Sequence, residues 1–532
     1  MNLNLSFISK YKEGLFIFAC LFLLSLLTFW KSLGFTFITD DYFLVWVSKY
    51  HQNLFKIYWS HPSTVFEFWT LVKLFGNNPI VFNIFGIFLR AASGFAGYFF
   101  IKKLTNSKLT AIIFTLFYVT SYVGLQSTTW ASAHIAYIDL FLIIFSVYKF
   151  FVYLSTQRTK DFLLCLVFTA LSLISDPGRD FPLVIVFLYI YLLTAVQKGL
   201  KNHLTFKRLK KLFIIFIVSI LIFFSWYILF GYYFGGSVRG SHGRIPLKPL
   251  IYYFGSIGNL LITPFIRNFE LSLIYPSWMK SIYPIFTILV PSLWLFTFFS
   301  FFKYKSKFYF IISILLFWIL AFYFPSWISY PREYVPAIHR YLTISGFGFV
   351  ALLAVISRDI LRKNIIAGSI LILLILSINF ATVKYYLVQE NSYRSSTVIN
   401  KVWTKVNNQI PSGETSSLLY FKGRYPLIPY QIVYSGDNPY KLLRENNRLN
   451  ELIVTTDNLE KVANQLCHKN INTLESLRKN ENSIKFHAWY VWSNGNVKNI
   501  TKQELLNLEK LYEKQNLCIT LRKKYGDTFT VF

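Results

Sequence analysis

The stretch FITDDYFLVW, residues 37 to 46, decides how the rest of the chain is read. It sets Asp40 and Asp41 side by side shortly after GLFIFACLFLLSLLTFW (residues 14 to 30), a run with no charge at all. An uncharged apolar run of about 18 residues is long enough to cross a bilayer, so the two carboxylates stand where a membrane span ends. No small-residue cleavage site follows the run, which therefore reads as a retained span.

Working outward, the same apolar texture recurs along 532 residues that are 54% hydrophobic, 20% aromatic and only 15% charged. Soluble domains average about 25% charged residues. Expected spans cover residues 14–30, 79–101, 109–125, 134–154, 161–176, 181–197, 212–232, 283–302, 308–324, 341–357 and 364–383. That is about eleven, an odd number, which puts the two termini on opposite sides of the membrane. Between the first two spans, DYFLVWVSKYHQNLFKIYW and PSTVFEFWTLVKLFG are aromatic-rich and amphipathic, as helices lying in the interface are.

The formal charge of +30 is spread in short clusters, at Lys10/Lys12, Lys102/Lys103/Lys108, Arg158/Lys160, residues 198–211, Lys303/Lys305/Lys307 and Arg358/Arg362/Lys363. These fall in alternate loops, which makes those loops and the N-terminus cytoplasmic and the C-terminus extracytoplasmic. A nucleic-acid binder would gather such charge on one soluble face, so nucleic acid is excluded as a partner.

From about residue 386 the texture changes. KVWTKVNNQIPSG reads as a helix with a Pro/Gly stop. SLLYFKG, PYQIVYSG and ELIVTT read as strands. FHAWYVWSNGNVKNIT carries an Asn-Gly hairpin signal, and TKQELLNLEKLYEK reads as a helix behind a Thr cap. The chain thus divides into a transmembrane domain, residues 1–385, and a small extracytoplasmic α/β domain, residues 386–532. Cys20 and Cys165 lie in apolar runs as small core hydrophobes, while Cys467 and Cys518 are free to pair if their domain lies outside.

Only eleven of the 24 acids lie in the first 385 residues, where each buried charge is expensive. Glu13, Asp161 and Asp359 sit beside cytoplasmic basic clusters; the rest gather at the opposite face. There ISDPGRDFP (174 to 182) brings Asp176, Arg179 and Asp180, and GGSVRGSHGRIPLKP (235 to 249) brings Arg239, His242 and Arg244. YPREYVPAIHRY (330 to 341) adds Arg332, Glu333, His339, Arg340 and Tyr341, and His61 and Glu67 precede the second span. A carboxylate pair serves as a general base or holds a divalent cation. Guanidinium groups in a half-buried pocket suit phosphate oxygens, and apolar walls suit a lipid tail. A phosphorylated lipid carrying a group to be transferred meets all three demands.

The arrangement resembles the GT-C glycosyltransferases, membrane enzymes that use polyprenyl-phosphate sugars, and especially their protein O-mannosyltransferase-like branch. The resemblance rests on FITDDY after the first helix, on HPSTVFEFWTLVKLFGNNPIVFNIFGIFLRAASGFAGYFFIKKL (61 to 104) and on TAIIFTLFYVTSYVGLQSTTWASAHIAY (110 to 137), and it covers about residues 1 to 385. It implies a polytopic α-helical membrane fold with a polyprenyl-phosphate sugar donor, membrane lipid around it, and a protein, lipid or glycan acceptor. It also implies that Asp40 or Asp41 is the catalytic base, with inversion at the anomeric carbon. Arg340, Arg332, Arg244, Arg239 and Arg179 would hold the donor phosphate, supported by His61, Glu67, Asp176, Asp180, His242, Glu333, His339 and Tyr341. A divalent cation, Mg or Mn, would lie at Asp40 and Asp41 if anywhere. The chain departs from the family in having His61 before Pro62 where relatives often have Arg, and DPGRDFP where they often have a Lys-Glu pair.

Plainer roles exist for several of these residues. Asp40 and Asp41 suit a helix start behind Thr39, His61 and His134 suit structural hydrogen bonds, and Trp130 suits an interfacial aromatic belt. The rival function is a transporter or flippase of a lipid-linked or anionic substrate. That would place ionisable groups at mid-membrane and broken helices in paired halves, and the sequence has few of the first and no visible repeat.

Overall fold

Helices occupy each of the expected spans in the computed structural model, although residues 121–125 of the third are not helical and residues 226–232 of the seventh lie outside the described residues. The structure describes residues 5–50, 61–199, 206–225, 250–265, 277–329, 334–410, 417–423, 427–428, 431–432, 439, 442, 453–468, 485–514 and 516–525. The helices of the first part run α1 (Leu5–Phe29), α2 (Asp40–Tyr50), α3 (Pro62–Phe75), α4 (Pro79–Thr105), α5 (Lys108–Thr120), α6 (Ile135–Thr156) and α7 (Thr159–Ser175). They continue as α8 (Pro182–Lys198), α9 (Phe206–Phe223), α10 (Leu250–Ile262), α11 (Ser277–Tyr304), α12 (Lys307–Ser329), α13 (Thr343–Lys363) and α14 (Ile365–Arg394). Among the described residues eight helices are long and apolar enough to cross a membrane. Helices α5, α7 and α9 fill the other expected positions. At 13 residues each, α5 and α10 are too short to cross by themselves, and α10 has no counterpart among the expected spans.

The described residues fall into two units, one within 1–30, 53–67 and 81–386, the other within 31–52, 68–80 and 387–532. In lipid, apolar helices gain little from hiding apolar surface and associate through close packing. The first unit shows this where α4, α5, α12 and α13 meet. Phe347 lies with ring centroids 5.0 Å from Phe114, 5.3 Å from Trp318 and 6.0 Å from Phe100. Gly97 makes that approach possible, since a Cβ there would stand 2.5 Å from the Phe114 ring.

In the second unit α2 is mostly enclosed: Asp41, Tyr42, Leu44, Val45, Trp46, Val47 and Ser48 are all buried. It is therefore a packed helix and not one lying open on an interface. The remainder comprises α15 (Ser396–Asn407), β1 (Ser417–Gly423), β2 (Ile453–Thr456), α16 (Leu459–His468), β3 (Lys485–Val491), β4 (Val497–Asn499), α17 (Thr501–Tyr512) and α18 (Leu517–Tyr525). The sheet order is β2-β1-β3-β4, with β1 parallel to β2 and β3, and β3 antiparallel to β4.

A parallel strand covered on both faces is apolar without alternation, as the LLYF of β1 is. Leu418, Tyr420, Phe486 and Ala488 pack toward Val462, Leu466, Leu508 and Leu521, while Phe421 stacks on Trp489 at 5.3 Å and meets Trp403 of α15 at 5.8 Å. Gly495, with φ +75°, closes the expected Asn-Gly hairpin. A disulfide links Cys467 of α16 to Cys518 of α18, with Cα atoms 5.6 Å apart.

Two expectations change. In PYQIVYSG the described residues, Gln431 and Ile432, are helical and not extended. Thr501 does not cap α17; Ile500 holds the cap position, Asn499 Oδ1 accepts from Thr501 N (2.9 Å), and the Thr501 hydroxyl accepts from Ala488 N (2.9 Å), tying the helix to β3.

Candidate functional site

The site in the first unit is built on a cation that touches no acid among the described residues. Arg90, near the middle of α4 and 1% exposed, donates to the carbonyls of Tyr118 (2.9 Å), Val119 (3.3 Å) and Ser121, to Thr128 Oγ1 (3.0 Å) and to Tyr137 Oη (2.6 Å). Its guanidinium also lies 4.5 Å from the Phe29 ring centroid. A helix end leaves carbonyls without partners. Here the end of α5 is satisfied by a guanidinium, whose planar donors reach several acceptors at once. The same contacts fix the turn that leads through Gln126–Thr129 to Trp130.

Beside that turn run residues 335–338, which end in a turn of their own closed by His339 N donating to Pro336 O. Gly124 N and Gln126 N donate to the carbonyls of Ala337 and Ile338, each at 2.9 Å. From α10 and the 3-10 turn that continues it (Thr263–Phe265), Ser256 Oγ accepts from Val335 N (2.9 Å), Asn259 Nδ2 donates to Val335 O (2.9 Å) and Thr263 Oγ1 accepts from Ala337 N (3.0 Å). These three side chains, spaced three and four apart, share one helix face. Clamped on both sides, the stretch delivers His339, Arg340 and Tyr341 to the start of α13.

Arg340 lies over the Trp130 ring at 4.2 Å and near the Tyr341 ring at 5.2 Å. Arg179 approaches the same Tyr341 ring at 5.5 Å. Asp176 caps the short turn Pro177–Asp180, accepting from Arg179 N (3.2 Å), and its carboxylate lies 3.3 Å from Arg179 Nε and 3.6 Å from His61 Nδ1. Ser175 donates to Asp139 and its hydroxyl stands 2.8 Å from that of Ser63, while Ser172 donates to Asp180.

Two guanidiniums thus lie near one tyrosine ring, with His61, Asp176, Asp180 and His339 around them. Arg179 Nη1 is buried with no hydrogen-bond partner among the described residues. A buried donor left unpaired is costly, and an anion relieves that cost. His339 is held well below the ordinary histidine range, first by burial and then by Arg340 and Arg179. It is therefore neutral near pH 7, as its acceptance of a bond from Tyr341 N at 3.3 Å requires.

Glu67 and His134, both buried, meet at 2.6 Å and join α3 to the turn after Trp130. Burial holds the Glu67 carboxyl above its usual 4.5, with His134 pulling the other way. A raised carboxyl keeps its proton in the fold where the unfolded chain has lost it. Stability is then fully present below pH 4.5 and declines as pH rises through that value toward the folded-state pKa. Glu67→Gln removes this dependence: the decline in melting temperature as pH rises above 4.5 flattens. An unchanged slope would mean that another group is responsible.

The expected base lies in the second unit. Thr39, at φ 46°, precedes α2, and the helix begins at Asp40. Asp41 is 0% exposed and its Oδ2 accepts from Ile38 N (3.2 Å), while Asp40 is half-buried. The two carboxylates thus differ: Asp41 is buried on the backbone and Asp40 is partly open. The pair fits a divalent cation poorly, because one Asp41 oxygen is used by the backbone. Among the described residues no three His, Cys, Asp or Glu side chains are grouped to hold a metal. Arg239, His242, Arg244, Arg332 and Glu333 lie outside the described residues.

The main site residue that sequence reasoning missed is Trp130. Its aromatic character marks only a belt, and its contact with Arg340 joins positions 210 residues apart in sequence.

No family model matches the chain. A protein of Aquifex aeolicus (strain VF5), described only as uncharacterized, is 25% identical over 160 residues, which is 30% of this chain and 30% of that protein. Among solved structures, an archaeal oligosaccharyltransferase, AglB from Archaeoglobus fulgidus in complex with an inhibitory peptide and a dolichol-phosphate, is similar with TM-score 0.51 and 12% identity. That match covers 91% of this chain and 70% of the other. ArnT from Cupriavidus metallidurans bound to undecaprenyl phosphate matches with TM-score 0.41 and 9% identity over 91% of this chain and 93% of its own. The likeness to the archaeal oligosaccharyltransferase is one of fold.

Proposed function

We propose that the chain is a glycosyltransferase that moves a sugar from a polyprenyl-phosphate-linked donor to an acceptor hydroxyl on the extracytoplasmic face of the membrane. The observation that carries this reading is the pair Arg179 and Arg340, both near the Tyr341 ring, with one Arg179 amino group buried and unpaired. Guanidinium donors suit phosphate oxygens, and they stabilise the leaving phosphate most as its charge develops. The dolichol-phosphate bound by the archaeal protein of like fold supports a lipid phosphate as the ligand class.

The reaction also needs a group to take the acceptor's proton, and Asp40 is assigned that role. Its carboxylate is half open at the first turn of α2, whereas that of Asp41 is buried on the backbone. An ordinary aspartate, with a pKa of about 3.9, is too weak a base for a free alcohol. It acts late, when the attacking oxygen is already bonding to the anomeric carbon and has become acidic. Attack opposite the phosphate inverts the anomeric configuration. The Cys467–Cys518 disulfide supports an oxidising, extracytoplasmic location for residues 386–532, in agreement with the basic clusters in alternate loops.

The test is a binding titration of the purified chain with polyprenyl phosphate and with the matching polyprenol. The phosphate binds more tightly, and Arg179→Gln and Arg340→Gln each weaken it by about 10- to 100-fold, the worth of a hydrogen bond to a charged group. Equal affinity for phosphate and alcohol would sink the donor assignment. Tight phosphate binding without consumption of any sugar donor would put the flippase reading first.

A further inference from the structure

The segment that presents Asp40 is fastened at a point far away in the sequence. Phe35 forms an antiparallel bridge with Ser395, and Thr36 N donates to Arg394 O at 2.8 Å. The Arg394 side chain completes the attachment. Its Nη2 donates to Thr36 O (3.2 Å), its Nη1 donates to Glu390 Oε2 (3.0 Å), and its guanidinium lies 5.2 Å from the Phe35 ring centroid. Arg394 is 3% exposed and Glu390 6%. From Thr36 the connection runs on within the segment, with the Thr36 and Tyr42 hydroxyls 3.2 Å apart and Ile38 N bound to Asp41.

From this geometry we propose that Arg394, held by Glu390, is a positioning residue for Asp40, so that the junction into the C-terminal domain sets where the base stands. The inference rests on the reading of Asp40 as base. Only four residues, 36 to 39, separate the bridged Phe35 from Asp40, and Thr39 adopts a left-handed backbone that a β-branched residue rarely takes. Such a conformation persists only where neighbours over-determine it. The fork of a guanidinium matters here because its two amino groups serve two acceptors at once. A lysine ammonium supplies the charge without that fixed spread. Because α15 begins at Ser396, directly after this clasp, the clasp gives the C-terminal domain a function that its own sheet does not disclose.

The test uses the full chain in detergent, comparing wild type with Arg394→Lys, Arg394→Gln and Glu390→Gln. Hydrogen exchange across residues 35 to 42 is followed by mass spectrometry alongside kcat and KM for the donor. Arg394→Gln and Glu390→Gln speed exchange in this segment and lower kcat by about 100-fold, as a misplacement near 1 Å does, while KM for donor stays unchanged. Arg394→Lys falls between. If Arg394→Gln does not fold, the two conservative variants decide. Wild-type exchange and kcat in folded variants would overturn the proposal, as would faster exchange spread evenly over the chain. If wild type consumes no polyprenyl-phosphate sugar, the enzyme reading fails by itself and the exchange data still judge the clasp.

Discussion

Asp40→Asn leaves donor binding intact and slows sugar transfer by about 10²- to 10⁴-fold, the range over which a positioned general base contributes. The amide has nearly the same shape, so packing at the start of α2 is kept while the proton acceptor is lost. Asp41→Asn behaves differently. Its carboxylate accepts from Ile38 N inside the fold, and an amide oxygen accepts the same bond more weakly, so the variant loses stability before it loses chemistry. Turnover, donor affinity and melting temperature, measured on both variants, separate the two roles. If Asp41→Asn abolishes turnover at unchanged stability while Asp40→Asn stays active, the assignment is reversed.

The second large effect concerns the disulfide. Cys467 and Cys518 are 51 residues apart in sequence, and closing a loop of that length is worth about 4 kcal/mol in the chain-entropy treatment. Replacing both by Ser therefore lowers the melting temperature of residues 386–532 by roughly 15 °C for a domain of this size. The transition is followed by proteolysis of the full chain on heating. Rapid alkylation of both cysteines in the native, unreduced protein would show that the bond is not formed and would remove the support it gives to an extracytoplasmic location.

Much of the fold is legible in the sequence because bilayer thickness imposes one length on every span, and uncharged runs of that length are conspicuous. The Asn494-Gly495 turn and the Asp176–Arg179 pair are legible for a related reason: each is local, and a few residues carry the whole signal. Helix α10 is not, since LIYYFGSIGNLLI is too short for a span and its contribution, with Thr263 just after it, is a row of three side-chain bonds to residues 335–337. The contact of Arg340 with Trp130 and the bond between Glu67 and His134 join distant positions, and neither partner announces the other. The clasp between Thr36 and Arg394 spans 358 residues and depends partly on backbone atoms, which have no sequence signature at all.

Arg90 also bears on how the protein is made. A lone arginine near the centre of an inserting helix costs about 2.5 kcal/mol or more at the translocon. The acceptors that offset this cost, the carbonyls of Tyr118, Val119 and Ser121 and the hydroxyls of Thr128 and Tyr137, all emerge from the ribosome after Arg90 does. The segment Pro79–Thr105 therefore enters the bilayer with a debt that only later synthesis settles. During that interval it depends on its own apolar flanks, or on waiting beside the translocon until residues 118 to 137 arrive.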